Sequence, residues 1–290
     1  MNILIADSGS TKTEWVLITN EGEKKYFFSD GLNPYFRTHG QLSEAIKQGV
    51  KNEIPNLTID EIFFYGSGSG NKSRKAILRN AMEENFPESE VHIETDLLGA
   101  AIACFGDNKG IACILGTGSN SCVYDGEKII KNIPSLGFVL GDEGSGGYFG
   151  KRIINNYYYK TMPLDLREAI DKTSDMSLES ILHKVYEEPQ ANRFVASFSK
   201  ILGDFRDHPF IQQMVRKGFE AFADKQLGYF EESTTLEIGF VGSIASVYEN
   251  ILREVLEERS MKLARIIRKP LHRIEEYHMN RLGLNAEVEV

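Results

Sequence analysis

The chain begins with an apolar segment that breaks on small polar residues and then resumes. Residues 2–6 and 13–19 are predicted strands, because both segments are rich in β-branched and aromatic side chains. Residues 7–12 form the connection, in which Gly9 lets the backbone approach a ligand and successive N–H groups can bind an anion. The segment predicts a β-hairpin whose turn binds phosphate, although aspartate, serine and glycine also make ordinary turns.

Polar side chains collect at this turn. Asp7 ends the first predicted strand, and hydroxyl groups follow at Ser8, Ser10, Thr11 and Thr13. A carboxylate at this position can hold hydrated Mg²⁺, which prefers a few carboxylates together with the phosphate oxygens of a substrate. The hairpin therefore indicates a site for a phosphorylated ligand and its metal ion.

Composition limits the partners of the chain. Its 290 residues exceed the usual size of one domain, so two domains are expected. The net charge of -9 argues against a nucleic-acid or anionic-membrane partner, because such partners select basic patches. No apolar run approaches a membrane span and no signal peptide precedes the first strand, so we expect a cytoplasmic protein. Cys104, Cys113 and Cys122 form no CxxC pair and are expected to be buried.

The first half of the chain follows the order β-β-β-α-β-α-β-α. Its third strand ends before a turn that contains Asn33, and its fourth strand runs into a glycine-rich segment at residues 66–70. Three antiparallel strands followed by crossover units predict a mixed sheet with helices on its faces. The predicted strands are 2–6, 13–19, 24–29, 62–65 and 91–95, and the predicted helices are 41–51, 73–85 and 97–104.

Asp96 lies between a predicted strand and a predicted helix. An aspartate directly before a helix is first of all a good N-cap. The carboxyl end of a strand is also where ligands gather in open α/β sheets, and a carboxylate there can accept the proton of an attacking hydroxyl. Both roles are open, and they are compatible.

The second half repeats this order around a second glycine-containing turn at residues 116–120. The repeat predicts two α/β domains, residues 1–107 and 108–270, with a final helix at 271–290 that packs on the first domain. Two such domains facing each other would place both hairpins on opposite walls of a cleft. The predicted strands are 110–115, 121–125, 128–133, 236–241 and 262–267, and the predicted helices are 245–257 and 271–282.

An insertion at about residues 134–233 interrupts the second half. It begins with a glycine-rich loop that contains Asp142 and Glu143, and an acid pair in such a loop is commonly a solvated turn. Apolar residues at helical spacing predict a helical insertion. The predicted helices are 148–158, 164–172, 178–186, 191–202 and about 209–230.

Three spaced motifs carry a resemblance to a known superfamily. Residues 7–13 (DSGSTKT), 115–119 (LGTGS) and 240–243 (FVGS) resemble the phosphate-1, phosphate-2 and adenosine motifs of the actin, Hsp70 and sugar-kinase superfamily. Residues 95–96, 116–120 and 141–145 (GDEGS) resemble N-acetylglucosamine kinases of the related BadF/BadG/BcrA/BcrD ATPase family. The resemblance implies two ribonuclease-H-like (actin-like ATPase) domains with mixed five-stranded sheets flanking a cleft.

The resemblance also implies roles for individual residues. Asp96 would be the catalytic base, and Asp7 would act towards Mg²⁺ through water. The chain departs from the family pattern after Asn33, where residues 34–36 (PYF) would shape a different N-acetyl pocket. The implied ATP-binding residues are Gly9, Ser10, Thr11, Lys12, Thr13, Gly116, Thr117, Gly118, Gly242 and Ser243, and the implied sugar-binding residues are Asn33, Asn120, Gly141 and Asp142.

The function implied by the resemblance is ATP-dependent phosphorylation of an amino sugar, with N-acetylglucosamine and its 6-phosphate as substrate and product. Phosphoryl transfer requires mainly positioning and charge stabilisation, which two backbone turns, a metal ion and one base supply. One alternative is an ATPase that activates a partner enzyme through an iron–sulfur cluster, which needs accessible cysteines. Others are a non-catalytic sugar sensor and an actin-like or chaperone-like ATPase. The sequence leaves a homodimer open.

Overall fold

The computed structural model describes residues 1–9 and 11–284. The chain divides into two compact units. Unit 1 comprises Met1–Asn108, Gly126–Lys128 and the segment from Lys269 onward. Unit 2 comprises Lys109–Asp125 and Ile129–Arg268. The domain limits and the cleft expected from the sequence stay predictions.

Unit 1 contains a mixed five-stranded sheet with the order β3-β2-β1-β4-β5. Strands β1, β2 and β3 are antiparallel neighbours, whereas β4 and β5 continue from β1 in parallel. Alternate residues such as Leu4, Trp15 and Phe64 are buried in one core of this unit, as the period of a strand requires. The strands are β1 (Ile3–Ser8), β2 (Lys12–Ile18), β3 (Lys24–Asp30), β4 (Glu61–Gly66) and β5 (Glu90–Thr95).

Unit 2 contains a second mixed five-stranded sheet of the same class, with the order β10-β9-β6-β7-β8. Strand β6 pairs with β7 in antiparallel and with β9 in parallel orientation, which matches the arrangement around β1. The predicted fold class, with two mixed five-stranded sheets, is therefore confirmed. The strands are β6 (Gly110–Leu115), β7 (Ser119–Tyr124), β8 (Ile129–Asn132), β9 (Glu237–Val241) and β10 (Lys262–Ile267).

Helices connect the strands, and seven of them form the insertion between β8 and β9 within the described residues. All three cysteines are buried, as predicted. No helix in residues 1–9 and 11–284 is both long and apolar enough to cross a bilayer. The helices are α1 (His39–Gly49), α2 (Lys72–Asn85), α3 (Asp96–Phe105), α4 (Gly137–Leu140), α5 (Gly146–Tyr158), α6 (Leu164–Thr173), α7 (Leu178–Tyr186), α8 (Ala191–Ser197), α9 (Lys200–Asp204), α10 (Pro209–Phe222), α11 (Ser243–Val247), α12 (Glu249–Glu257) and α13 (Leu271–Leu282).

Several predicted boundaries are wrong. The N-cap of α3 is Thr95, whose Oγ1 accepts the Leu98 N–H at 3.2 Å, so Asp96 is the first helical residue and not the cap. The helix predicted at 191–202 is two helices, α8 and α9, and the helix predicted to run to about 230 ends at Phe222. It continues as a π-helical turn, Ala223–Leu227. These differences are local changes in backbone hydrogen bonding, and the apolar residues of these helices keep their helical spacing.

Helix α13 packs on α3, β1 and β2 within unit 1. Glu275 of α13 is 3% exposed and binds the edge strand β3, because its carboxylate accepts Lys24 Nζ at 2.6 Å and Tyr26 Oη at 2.8 Å. Burial, followed by the hydrogen bond to Glu275, raises the pKa of Tyr26 to about 12. The helix predicted at 271–290 extends into residues 285–290, which lie outside the described residues.

Replacing Glu275 should loosen this attachment. We expect Glu275→Ala to lower the free energy of unfolding by about 1–3 kcal/mol, because the variant leaves polar partners without their acceptor. Glu276→Ala is the matched control, since Glu276 is exposed and pairs only with Arg273 among the described residues. Urea unfolding at pH 7 measures the difference, and equal effects of the two variants would contradict the role of Glu275.

Candidate functional site

The first hairpin joins β1 and β2 and is held together by buried hydroxyl groups. Gly9 N donates to Lys12 O at 3.0 Å, and the hydroxyls of Ser8 and Thr13 lie 2.7 Å apart. Thr13 Oγ1 also donates to Asp30 O at 3.1 Å. Both hydroxyl-bearing residues are almost completely buried. The Thr13 side chain therefore supports the hairpin, and the ATP-binding role that the resemblance implies for this residue stays a prediction.

The remaining predicted ATP residues of this hairpin lie at its tip. Gly9 and Thr11 are exposed, and the Thr11 carbonyl accepts Gly31 N at 3.1 Å. Ser10 lies outside the described residues. The Gly9 N–H and the Thr11 carbonyl are thus bonded within unit 1, while both residues remain exposed to solvent.

Lys12 makes local contacts along β2. Its Nζ lies 3.3 Å from the centroid of the Phe28 ring and 3.3 Å from Glu14 Oε1. Lys269 Nζ lies 3.5 Å from the same Glu14 oxygen. The sequence reasoning missed Glu14, although its position two residues after Lys12 on a strand places both on one face.

Two carboxyl groups of unit 1, Asp7 and Asp96, both have raised pKa values. Asp7 pairs with Glu14 across the hairpin, and Asp96 begins α3. Burial, followed by the negative charges of Asp96 and Glu14, raises the pKa of Asp7 to about 7. Burial raises the pKa of Asp96 to about 6, although its bond from Leu97 N at 2.9 Å opposes the change. Solvent still reaches part of both side chains, so a ligand can reach them too.

This pair fits a magnesium ion better than an all-protein metal cage. No group of three or more His, Cys, Asp or Glu side chains suited to a metal occurs in residues 1–9 and 11–284. Mg²⁺ is usually bound by one or two carboxylates, its own waters and substrate phosphates. A divalent cation beside Asp7 would stabilise the ionised carboxylate and so oppose the burial and the negative charges that raise its pKa.

Asn33 is buried beside the glycine-rich segment that follows β4. Its Nδ2 donates to Ser67 Oγ at 3.2 Å, and its Oδ1 accepts Tyr35 N at 2.9 Å. A Cβ atom on Gly68, whose φ is +82°, would lie 2.4 Å from Asn33 Oδ1. The sequence marked residues 66–70 as a strand end rich in glycine, and the structure shows that this segment surrounds Asn33.

The same segment contains a buried hydroxyl without a partner. Ser69 is 3% exposed, and its Oγ makes no hydrogen bond to any described residue. Arg74 fixes the opposite side of the Asn33 loop, because its NH1 donates to Pro34 O at 3.0 Å and its guanidinium lies over the Tyr35 ring. Arg74 thus anchors the Asn33 loop, and the neighbouring segment retains a buried hydroxyl whose hydrogen-bonding capacity is unused among the described residues, which calls for an explanation.

The second hairpin joins β6 and β7 in unit 2, and the first turn of α5 supports it. Gly146 N donates to Gly116 O at 2.8 Å, and Gly147 N donates to Thr117 O at 2.9 Å. These bonds occupy carbonyl oxygens of the hairpin. In the part of the chain that the structure describes, the N–H groups of Thr117 and Gly118 have no acceptor. Donors left open in this way suit an anion.

Asp142 lies directly against this hairpin. Its Oδ1 accepts Ser119 N at 3.3 Å, and a Cβ atom on Gly118 would lie 2.9 Å from its Oδ2. Its backbone has a φ of +60°, which is unusual for a residue other than glycine and is common at ligand sites. Burial raises the pKa of Asp142. The structure thus brings together the predicted residues Asp142 and Gly118.

Neighbouring residues complete this part of unit 2. Gly141 precedes Asp142, and Asn120 Oδ1 accepts the N–H of Ser121 at 2.9 Å. Burial alone would raise the pKa of Glu143, but the hydrogen bond from Lys225, with Nζ 2.8 Å from Oε1, contributes to a net lowering. Glu143 therefore stays ionised beside Asp142.

Gly242 ends β9 close to the second hairpin. Its φ is +128°, and a Cβ atom there would lie 2.2 Å from Leu115 O, so only glycine fits. Ser243 follows as an exposed residue at the start of α11. The predicted adenosine residues are therefore adjacent to the predicted phosphate residues of unit 2.

The comparisons with known proteins agree with this geometry. Two mixed five-stranded sheets, each with a glycine-containing hairpin, place the protein in the class with the actin-like ATPase fold. The chain belongs to the BadF/BadG/BcrA/BcrD ATPase family, whose model matches residues 6–203. A comparison with curated proteins gives no match.

Solved structures resemble the protein over nearly its whole length. A Porphyromonas gingivalis protein described as a "Putative N-acetylglucosamine Kinase" is 35% identical, with 97% of this chain and 99% of that chain covered and a TM-score of 0.90. A Chromobacterium violaceum protein of the same description is 17% identical, with 95% and 98% covered and a TM-score of 0.69. A Listeria monocytogenes protein described as "a putative N-acetylmannosamine kinase" is 14% identical, with 97% and 100% covered and a TM-score of 0.53. The last two show the fold alone.

The raised pKa of Asp7 predicts a pH-dependent stability. The folded protein holds this proton up to about pH 7, whereas an ordinary aspartate releases it near 3.8, so the unfolded state gains stability over the folded state as pH rises between these values. Without nucleotide or metal, Asp7→Asn should therefore raise the melting temperature relative to the unmodified protein at pH 8 more than at pH 5. Calorimetry at both pH values measures this difference.

Asp207→Asn is the control for this measurement, because the Asp207 carboxyl is 86% exposed. A stabilisation by Asp7→Asn that is the same at pH 5 and pH 8 would contradict the proposed ionisation. Added MgADP should reduce the advantage of Asp7→Asn, because the cation stabilises the ionised carboxylate.

Proposed function

We propose that the protein is an ATP-dependent sugar kinase that transfers the γ-phosphoryl group to an amino sugar, with N-acetylglucosamine as substrate and its 6-phosphate as product. The observation that carries the proposal is the Asp7 and Asp96 pair beside the first hairpin. One carboxyl group suits a metal ion, and the other has a pKa of about 6, close to the operating pH of a general base. The family and the 35% identical Porphyromonas gingivalis protein support this reading.

Each proposed residue has one task in the transfer. Asp96 accepts the proton of the sugar hydroxyl. The oxygen of that hydroxyl forms a bond to the γ-phosphorus, and the bond from this phosphorus to the ADP oxygen breaks. Mg²⁺, bound through Asp7 and the phosphates, would neutralise the charge that develops there. Gly9, Thr11, Lys12, Thr117 and Gly118 would orient the phosphates.

The sugar would be bound by amide and carboxylate groups. Asn33, Asn120 and Asp142 can each engage neighbouring hydroxyls of a pyranose, and Ser69 has a hydroxyl whose hydrogen-bonding capacity is unused among the described residues. Gly242 and Ser243 would contact the adenosine. We place the reaction in the cytoplasm, where ATP is available as the donor.

Removing the base should separate catalysis from helix capping. We expect Asp96→Asn to lower kcat about 10²–10⁴-fold, the usual contribution of general-base catalysis, with little change in ATP binding. The helix should remain, because Thr95 and not Asp96 caps it. Coupled ADP-release kinetics and calorimetric titration with ATP provide the two measurements.

Thr95→Ala serves as the reciprocal variant. It should lower stability by about 0.5–2 kcal/mol through loss of the cap, while its folded fraction keeps the Asp96 carboxyl group. An Asp96→Asn variant that turns over at the normal rate would rule out Asp96 as the base.

The sugar can be identified with a substrate panel. We expect N-acetylglucosamine to stimulate ADP release more than glucose does, because an empty acetamide site leaves polar groups unpaired. Asp142→Asn should raise the KM for the sugar at least fivefold more than the KM for ATP, since it removes a charged hydrogen-bond acceptor. Asp207→Asn should change neither value.

The panel also tests the alternative function. If no hexose or hexosamine stimulates ADP release above the rate with water alone, the kinase proposal fails and a partner-activating ATPase replaces it. Phosphate at the 6-hydroxyl of the product, measured by ³¹P NMR, is the expected outcome for the proposed reaction.

A further inference from the structure

The π-helical turn Ala223–Leu227 holds three parts of unit 2 through consecutive side chains. Gly228 N donates to Ala223 O at 2.8 Å, which is the i to i+5 bond that defines such a turn. Asp224 Oδ1 accepts Arg259 Nε at 2.7 Å and so attaches the turn to the end of α12. The next two residues, Lys225 and Gln226, extend towards the proposed sugar site. π-helical turns occur frequently at functional sites.

Gln226 bridges two serines of β7. Its Nε2 donates to Ser119 Oγ at 3.2 Å, and its Oε1 accepts the Ser121 hydroxyl at 3.2 Å. Both serines are buried and Gln226 is half-buried, so these bonds are largely shielded from water. A primary amide suits this position, because it offers one donor and one acceptor side by side.

The bridge fixes the strand segment that carries Asn120. Side chains alternate along a strand, so Ser119 and Ser121 share one face and Asn120 belongs to the other. Ser119 is also held from its backbone, since its N–H donates to Asp142 Oδ1. Gln226 therefore acts on two proposed sugar ligands, Asn120 through the strand and Asp142 through Ser119.

Lys225 reinforces the same arrangement. Its bond to Glu143 holds the residue next to Asp142. The side chain of Lys225 is 66% exposed, however, and an exposed ion pair contributes little energy. Gln226, with two shielded bonds, is the stronger of the two supports.

We propose that Gln226 is a positioning residue of the sugar site, which fixes Asn120 and Asp142 without touching the sugar itself. This inference rests on the proposed kinase function. Gln226 lies in the helical insertion and outside both hairpin motifs, so the proposal gives the insertion a role in positioning the sugar ligands.

The test is Gln226→Leu, which keeps the side-chain size and removes both bonds. We expect the KM for N-acetylglucosamine to rise about tenfold, the size that corresponds to loss of about one net hydrogen bond, and the KM for ATP to stay within about twofold. Gln213→Leu is the matched control, because Gln213 is exposed on α10. It should leave both constants unchanged.

Ser121→Ala is a milder variant that protects the test against misfolding of Gln226→Leu. It removes one of the two bonds and should raise the sugar KM about threefold, and Gln226→Leu should have a smaller effect in this background than alone, because the two residues share a bond. Additive effects of the two substitutions would overturn the bridge.

The outcomes distinguish this inference from the proposed function. A folded Gln226→Leu enzyme with the original sugar KM, or with equal increases for sugar and ATP, overturns the role of Gln226 alone. If the unmodified protein neither binds nor phosphorylates any sugar of the panel, the proposed function fails, and the assignment of Gln226 fails with it.

Discussion

Burial of the Asp7 and Asp96 carboxyl groups is the constraint on which the chemistry of unit 1 depends. Burial raises the pKa of both groups, and the negative charge of Asp96 raises the pKa of Asp7 further, so the rest of the fold must offset the cost of ionising them. Helix α3 can lie close to the sheet because Gly99 has no side chain. A Cβ atom at this position would lie only 2.9 Å from Tyr65 Cβ. The Tyr65 hydroxyl is in turn 2.8 Å from His278 Nε2 on α13. A helix from the end of the chain thus supports the position of Asp96.

Unit 2 uses the same strand order but a different means of holding its hairpin. The first hairpin is closed by the buried hydroxyl pair of Ser8 and Thr13, whereas the second is held by N–H groups of Gly146 and Gly147. In the second hairpin the N–H groups of Thr117 and Gly118 have no acceptor among the described residues, and Asp142 lies beside them. The two halves therefore share topology, which follows from strand patterning, while their chemistry follows from the residues at the turns. Function belongs to the residues of a site and does not follow from the fold that carries them.

The order of strands along the chain was predictable from the sequence, because alternating apolar residues and glycines at strand ends are local signals. The two five-stranded sheets were implied by the family resemblance. The cap of α3 was misplaced by one residue, since Thr95 and Asp96 are both good caps and only the hydrogen bond decides between them. Gln226 could not be found, because its partners lie more than a hundred positions away in the chain. Side-chain bonds between distant segments depend on packing that no local pattern records.

Lys12 can exchange its present contacts for a ligand at a small cost in free energy. In its proposed role as a phosphate ligand, Lys12 would leave Glu14 and the Phe28 ring, and its side chain is already 46% exposed. An exposed ion pair contributes about 0–1 kcal/mol, and an exposed cation–π contact about 0.5–1 kcal/mol. Departure of Lys12 does not isolate Glu14 either, because Lys269 Nζ remains 3.5 Å from its carboxylate. A second cation on Glu14 therefore lets the lysine move without leaving a partly buried charge unpaired, and it couples the start of α13 to the first hairpin.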